Sequence, residues 1–324
     1  MQPAPLVSVV IPTRARPELL RRAIASVFAQ TYPNLEVVVV VDGPDAQTEE
    51  ALRAMNDGRV RAQTLPHNVG GAEARNIGVR ASRGEWIAFL DDDDEWLPMK
   101  IEKQMVAARE LPGTRVLVSC RFVEKFADRT ETYPEHLPES GEAIDHYVCV
   151  PKRMKTGGAN LQTSTLLATR DLMIAVPFVA GLKRAQELVW QIEAGAKGGA
   201  QFRVLPETLS ILNSGTLTSA TRVSSRPNWR AFFECIRERK SHFTPETYAY
   251  CVGTRVLTDA LRCNEPASVI LKLLVEILGT SIRHPRILFL FFYLWLIPDA
   301  RRKRLGKIVR SLLFTRSVKA IAIQ

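Results

Sequence analysis

Two rhythms of apolar positions alternate along the first hundred residues. Leu6-Val7-Ser8-Val9-Val10-Ile11 is a short, β-branched run ended by Pro12. It predicts a buried strand, because parallel strands are apolar on both faces. Leu19, Leu20, Ala23, Ile24, Val27 and Phe28 then recur at helical spacing behind Pro17, which suits a first helical position. Glu36 to Val41 predicts a second strand, followed by Asp42-Gly43-Pro44-Asp45. Asp45 is expected to cap a helix running to about Met55. Arg59 to Leu65 reads as a weaker strand, Ala72 to Ser82 as a helix, and Trp86 to Leu90 as a fourth strand.

Such alternation predicts an α/β fold, a mostly parallel sheet with helices on both faces. Ligands in these sheets bind beyond the carboxyl ends of the strands. Three of the predicted strands end at Thr13, Asp42 and Asp91, so the fold is expected to gather them at one edge.

After residue 110 the pattern loosens. Phe122 to Thr156 is polar and poorly periodic and reads as a loop. Leu161 to Thr169 and Phe202 to Glu207 read as strands. Thr244-Pro245-Glu246 opens a helix to about Cys263, and Ala267 to Leu278 continues helically, with Gly279 as a stop. The apolar run Ile287 to Ile297 is about a dozen residues, short of the roughly 20 needed to span a bilayer. It reads as an interfacial or buried helix. Asp299 is expected to cap a last helix with Leu305, Ile308, Val309, Leu312 and Leu313 on one face and Arg301, Arg302, Lys303, Arg304, Lys307 and Arg310 on the remainder.

Charge sharpens this division. The 324 residues are 46% hydrophobic with a net charge of +10, enough for one large domain plus an appendage. Residues 221–324 carry 19 Lys+Arg against 7 Asp+Glu, whereas 1–220 are close to neutral. The expected division is therefore an α/β domain over 1–220 and a basic, helical region over 221–324. An apolar face beside a cationic one suits an anionic membrane surface. An oligomer contact or packing on the domain is the alternative. Nucleic acid is not expected, since no recognised binding motif accompanies the charge. The five cysteines have neither zinc-site nor disulfide spacing, so reduced, buried thiols in a cytoplasmic protein are expected. No charged leader precedes an apolar core at the N-terminus, so no secretory signal is read.

Chemistry enters at Asp91-Asp92-Asp93-Asp94. Adjacent carboxylates repel, and a hard divalent cation, Mg²⁺ or Mn²⁺, offsets that repulsion and bridges to phosphate. The plain alternative is an acidic helix start, with Asp94 as its cap. Gly70-Gly71 opening a helix permits close backbone approach, and helix N-termini favour anions. Arg75 lies within reach of the same region, and Asp42 is an acceptor for ring N–H or hydroxyl groups. Each taken alone has a structural reading: a turn, a tight loop, a surface ion pair.

Together, Pro12-Thr13-Arg14-Ala15-Arg16, Val41-Asp42-Gly43, Asn68 to Gly78 and Gly84 to Asp94 resemble the family 2 glycosyltransferases. The likeness covers about the first 110 residues in order and spacing. It implies a GT-A fold, inversion at the anomeric centre and a D-x-D metal motif. By that resemblance Pro12, Thr13, Arg16, Asp42, Gly70, Arg75, Asp91 and Asp92 serve the donor nucleotide, and Asp91 and Asp93 the metal. Asp92/Asp94 satisfies the same spacing, but Asp91/Asp93 is preferred, because Asp94 is then expected to cap a helix starting near Glu95. The family usually shows two acids after the second strand, and here Val41 replaces the first. Arg184 to Trp190 resembles the segment in which an acid opens a helix beside the acceptor, with Glu187 in the place of the base. The alternative for Glu187 is an i, i+3 pair with Arg184.

The resulting expectation is transfer of a sugar, from a UDP-sugar by preference, to a glycan or lipid-linked acceptor. Such an acceptor would belong to cell-surface polysaccharide synthesis at the inner face of the membrane. A catalytically silent nucleotide-binding or membrane-scaffold protein is the rival reading. A sugar-1-phosphate nucleotidyltransferase is a second rival, but no N-terminal Gly-rich loop with a following basic residue accompanies it.

Overall fold

The computed structural model describes residues 4–152, 159, 161–215 and 228–297. The chain divides into two compact units at Thr244/Pro245.

The first unit opens with the expected alternation: β1 (Val7–Thr13), α1 (Pro17–Phe28), β2 (Leu35–Val41), α2 (Ala46–Met55), β3 (Val60–Thr64), α3 (Gly71–Ala81) and β4 (Trp86–Phe89). Pro17 takes the first helical position of α1, and Asp45 caps α2 by accepting from Thr48 N at 3.1 Å. The four strands pair in parallel in the order β3-β2-β1-β4. Chain order reverses between β1 and β4, and crevices of this kind receive ligands. Gly78 lets α3 lie on the sheet: a Cβ there would stand 2.3 Å from Val10 Cγ1.

Further along come β5 (Glu95–Trp96), α4 (Lys100–Arg109), β6 (Val116–Lys125), β7 (Thr130–Tyr133), α5 (Ile144–Cys149), β8 (Leu167–Thr169), α6 (Arg170–Ala175), α7 (Gln186–Ala196), β9 (Gln201–Leu212) and α8 (Trp229–Glu238). They extend the sheet in the order β4-β8-β6-β9-β5, with β7 on β6. β8 runs antiparallel to both β4 and β6. Val9, Ile11, Leu20, Ile24, Val39, Leu90 and Ile101 pack one core between this sheet, α1 and α4.

Several expectations are corrected. No helix starts at Glu95: Glu95 and Trp96 pair with Ile211 and Ser210 of β9, and the helix begins at Lys100. Asp94 is therefore not a helix cap. Leu161 to Thr169 is a 3₁₀ turn at Thr163–Thr165 followed by the short β8. The polar stretch from Phe122 contains the β6–β7 hairpin, with Phe122 opposite Tyr133, and α5. Four cysteines are buried, but Cys263 is exposed.

The second unit is helical. α9 (Pro245–Tyr250) runs through a π-helical segment (Cys251–Val256) into α10 (Leu257–Arg262). α11 (Ala267–Ser281) and α12 (Pro285–Leu296) follow. α11 passes through Gly279 rather than stopping there. No helix among the described residues is long and apolar enough to cross a membrane. Asp299 and the expected Leu305–Leu313 face lie outside the described residues.

Candidate active site

The ends of β1, β2 and β4 converge as the pattern predicted. Asp42 N donates to Thr13 O at 2.9 Å, and Thr13 Oγ1 donates to Asp92 Oδ2 at 2.7 Å. Arg16, at the start of α1, reaches Asp92 Oδ1 at 3.1 Å and Asp93 Oδ2 at 3.5 Å. Thr13, Arg16, Asp42 and the acidic turn thus form one continuous rim.

Asp42 is 6% exposed, and its carboxylate faces the loop before α3. It accepts from Asn68 Nδ2 at 2.7 Å, Val69 N at 2.7 Å and Gly70 N at 3.0 Å. Gly70 has φ of +86°, a conformation that costs glycine little. Asp42 therefore sets the loop that delivers the N-terminus of α3.

One turn of α3 further, Arg75 is buried between two partners. Its Nη2 donates to Asp91 Oδ1 at 2.5 Å and its Nη1 to Gln186 Oε1 at 2.9 Å. Its Nε is buried with no hydrogen-bond partner. Gln186 begins α7, so Arg75 ties the acidic turn to the helix that carries Glu187. Glu187 is half-buried at the second position of α7. Glu193, deeper in α7, is committed elsewhere: its Oε1 pairs with Lys197 at 3.2 Å and Arg239 at 3.0 Å.

The four aspartates divide into two pairs. Asp92 is held by Thr13 and Arg16. Asp94 accepts from Ser164 Oγ at 2.6 Å and from Asn213 N at 3.3 Å. Both are buried, at 5% and 6% exposure, while Asp91 and Asp93 remain half-buried. Burial lifts the pKa of Asp92 and Asp94. Asp93 is pushed up to about 6 by burial and by the charges of Asp91 and Asp92.

This donor set fits a hard divalent cation. Its oxygens are crowded, their mutual repulsion is only partly offset by Arg16 and Arg75, and added positive charge would favour the ionised form of Asp93. Among the described residues, no group of three or more His, Cys, Asp or Glu encloses a metal alone. Two carboxylates suffice where phosphate oxygens and water complete the coordination.

Sequence reasoning missed Ser164 and Asn213. Ser164 Oγ accepts from Asp91 N at 3.1 Å and donates to Asp94, clasping both ends of the turn. Asn213 Nδ2 donates to Asp93 O at 3.0 Å. Asn213 directly follows Leu212 at the end of β9, whereas the predicted strand stopped at Glu207.

Residues 8–166 match the family model described as glycosyl transferase family 2. This part of the chain belongs to that family. The chain is 35% identical over 152 residues to a putative teichuronic acid biosynthesis glycosyltransferase, TuaG of Bacillus subtilis, covering 46% of this chain and 55% of that protein. It is 35% identical over 100 residues to WfgD of Escherichia coli, a UDP-Glc:alpha-D-GlcNAc-diphosphoundecaprenol beta-1,3-glucosyltransferase, covering 31% of this chain and 40% of that one. The chain spans 16 to 55% of the length of curated relatives that it matches. In fold it is similar to the mannosyltransferase PcManGT from Pyrobaculum calidifontis, solved with GDP-Man and Mn²⁺. That match has a TM-score of 0.52 and 16% identity, over 90% of this chain and 86% of that one. The architecture is GT-A.

Proposed function

We propose that this protein is an inverting glycosyltransferase that moves a sugar from a nucleotide-sugar donor to a glycan or lipid-linked acceptor in envelope polysaccharide synthesis. The observation that carries this reading is the linked set Thr13–Asp92, Arg16–Asp93 and Asp91–Arg75–Gln186 at the carboxyl ends of β1 and β4. WfgD, a relative named for a UDP-sugar and a diphosphoundecaprenol-linked acceptor, favours a UDP-sugar and a lipid-linked glycan here too. That acceptor would bring the protein to the inner face of the membrane.

Asp91 and Asp93 are the residues that would hold Mn²⁺ or Mg²⁺, which supplies positive charge to the leaving diphosphate when bound. Asp92, tied to Thr13 and Arg16, acts as the strut behind them. The α3 N-terminus from Gly71 onward would face the diphosphate with backbone N–H groups, the Gly70 N–H being held by Asp42, and the unpartnered Nε of Arg75 would be a further donor to it. Pro12, Thr13 and Arg16 form the nucleotide side of the rim. Asp42 contributes through the loop it holds and retains lone-pair capacity for one further donor.

Glu187 is the base. Its carboxylate takes the proton from the acceptor hydroxyl as that oxygen bonds to the anomeric carbon, and the bond from carbon to diphosphate oxygen breaks with its electron pair leaving on the nucleotide. Attack opposite the leaving group inverts the centre.

Calorimetry of UDP binding with and without Mn²⁺ tests the donor half. Wild-type protein should bind UDP only with the metal, and Asp93→Asn should lose that binding. Metal-independent binding, or unchanged binding by the variant, ends the assignment.

A further inference from the structure

α11 and α12 each carry two apolar faces. On α11, Ile270, Leu273 and Ile277 are buried within the second unit, while Leu271, Val275, Leu278 and Ile282 are exposed at i, i+4, i+7 and i+11. On α12, Ile287, Leu290, Phe291 and Leu294 are buried, while Phe289, Phe292 and Leu296 are exposed at i, i+3 and i+7. These spacings draw a single stripe along each helix. Ile282 is 80% exposed and Phe289 63%, so each stripe reaches solvent. Large contiguous apolar surface of this kind marks a docking face.

The charges beside the stripes have one sign. Across residues 267–297 the exposed ones are Lys272, Arg283 and Arg286. The single acid of that span, Glu276, is half-buried and accepts from Tyr248 Oη at 2.9 Å. The chain then continues into residues 298–324, whose sequence holds eight Lys+Arg and one Asp. Phe292 and Trp295 stack at 6.2 Å, and aromatic rings of this type favour the headgroup level of a bilayer.

We propose that the exposed faces of α11 and α12 dock flat on an anionic lipid bilayer. Apolar side chains would enter the boundary between headgroups and acyl chains, and Lys272, Arg283 and Arg286 would meet lipid phosphates. α12 has 12 residues, about 18 Å at helical rise, so it lies in the interface and does not span it. Charge argues against a second copy as the occupant. Two such faces brought together would oppose cation to cation, with no exposed acid on either helix to pair them. The inference deepens the membrane-face placement proposed above, and no part of it uses the transfer chemistry.

Co-sedimentation of the full chain with vesicles tests it, without nucleotide sugar. Vesicles of phosphatidylglycerol and phosphatidylcholine should carry the protein down. Pure phosphatidylcholine should do so at least tenfold less, and 0.5 M NaCl should weaken the anionic binding. Ile282→Glu with Phe289→Glu should lose at least tenfold in partitioning while keeping the wild-type melting temperature. Val275→Glu, a single change at an exposed position, gives the same reading should the double variant not fold. Three results overturn the proposal: no binding to anionic vesicles, full binding by the apolar-face variants, or a wild-type dimer that these variants dissociate in the absence of lipid binding. Failure here leaves the transfer reaction standing, and failure of UDP binding leaves the docking face standing.

Discussion

Arg75 and Gln186 lie 111 residues apart in the chain and meet at 2.9 Å. The contact joins the donor side of the site to the helix bearing Glu187. Gln186 also donates from Nε2 to Leu182 O at 2.5 Å. A side-chain amide can accept from the guanidinium and donate to the carbonyl at once, which a carboxylate cannot do.

Gln186→Glu should therefore keep the Arg75 contact but set a carboxylate against Leu182 O. Nucleotide release from the donor should slow by roughly tenfold, about 1.4 kcal/mol at the transition state, with UDP–Mn²⁺ affinity unchanged by calorimetry. Equal losses of affinity and rate would assign Gln186 to donor binding instead.

Glu187→Gln removes the proposed base without changing its size. Donor affinity should hold, and turnover should fall by roughly 10²- to 10⁴-fold, the usual worth of a positioned base. Initial rates with the intact acceptor decide it, and retained turnover removes Glu187 from the site.

Gly78→Ala tests how α3 is seated. The added methyl would meet Val10 Cγ1 at 2.3 Å and Val40 Cγ2 at 3.3 Å. Overpacking of this kind costs about 1–3 kcal/mol. A melting temperature lower by several degrees is expected in a thermal scan, and an unchanged one shows that the helix can move away freely.

Lys100 gives a pH signature. It is wholly buried, its Nζ donates to Gln104 Oε1 at 2.8 Å and sits 4.0 Å from the Trp96 ring, and burial pulls its pKa down to about 8. Between pH 8 and about 10.5 the unfolded chain then holds the proton that the folded chain has released, so stability rises with pH across that window. The gain is on the order of 3 kcal/mol. Urea melts from pH 7.5 to 10 should show this rise in wild type and a flatter profile in Lys100→Met.

Thr13, Asp42 and the Asp cluster were legible because each closely follows an apolar run, and strand ends share an edge in a parallel sheet. Asp94 was misread because a local capping rule competed with a distant partner: β9 draws Glu95 and Trp96 into the sheet and turns Asp94 inward toward Ser164. Ser164 itself lies in a three-residue turn with no periodicity, so its position becomes apparent only when β8 is seen beside β4. Arg75 was placed near the site, but its second partner, Gln186, depends on where α7 starts.

The hydroxyl of Ser164 also bears on how the protein may be cut. The signatures of the donor side lie before residue 110, yet the group that closes the acidic turn arrives some seventy residues after Asp91. A fragment trimmed to its signatures would carry the letters of the motif without the clasp that shapes them, so the shortest piece worth expressing reaches at least through Asn213.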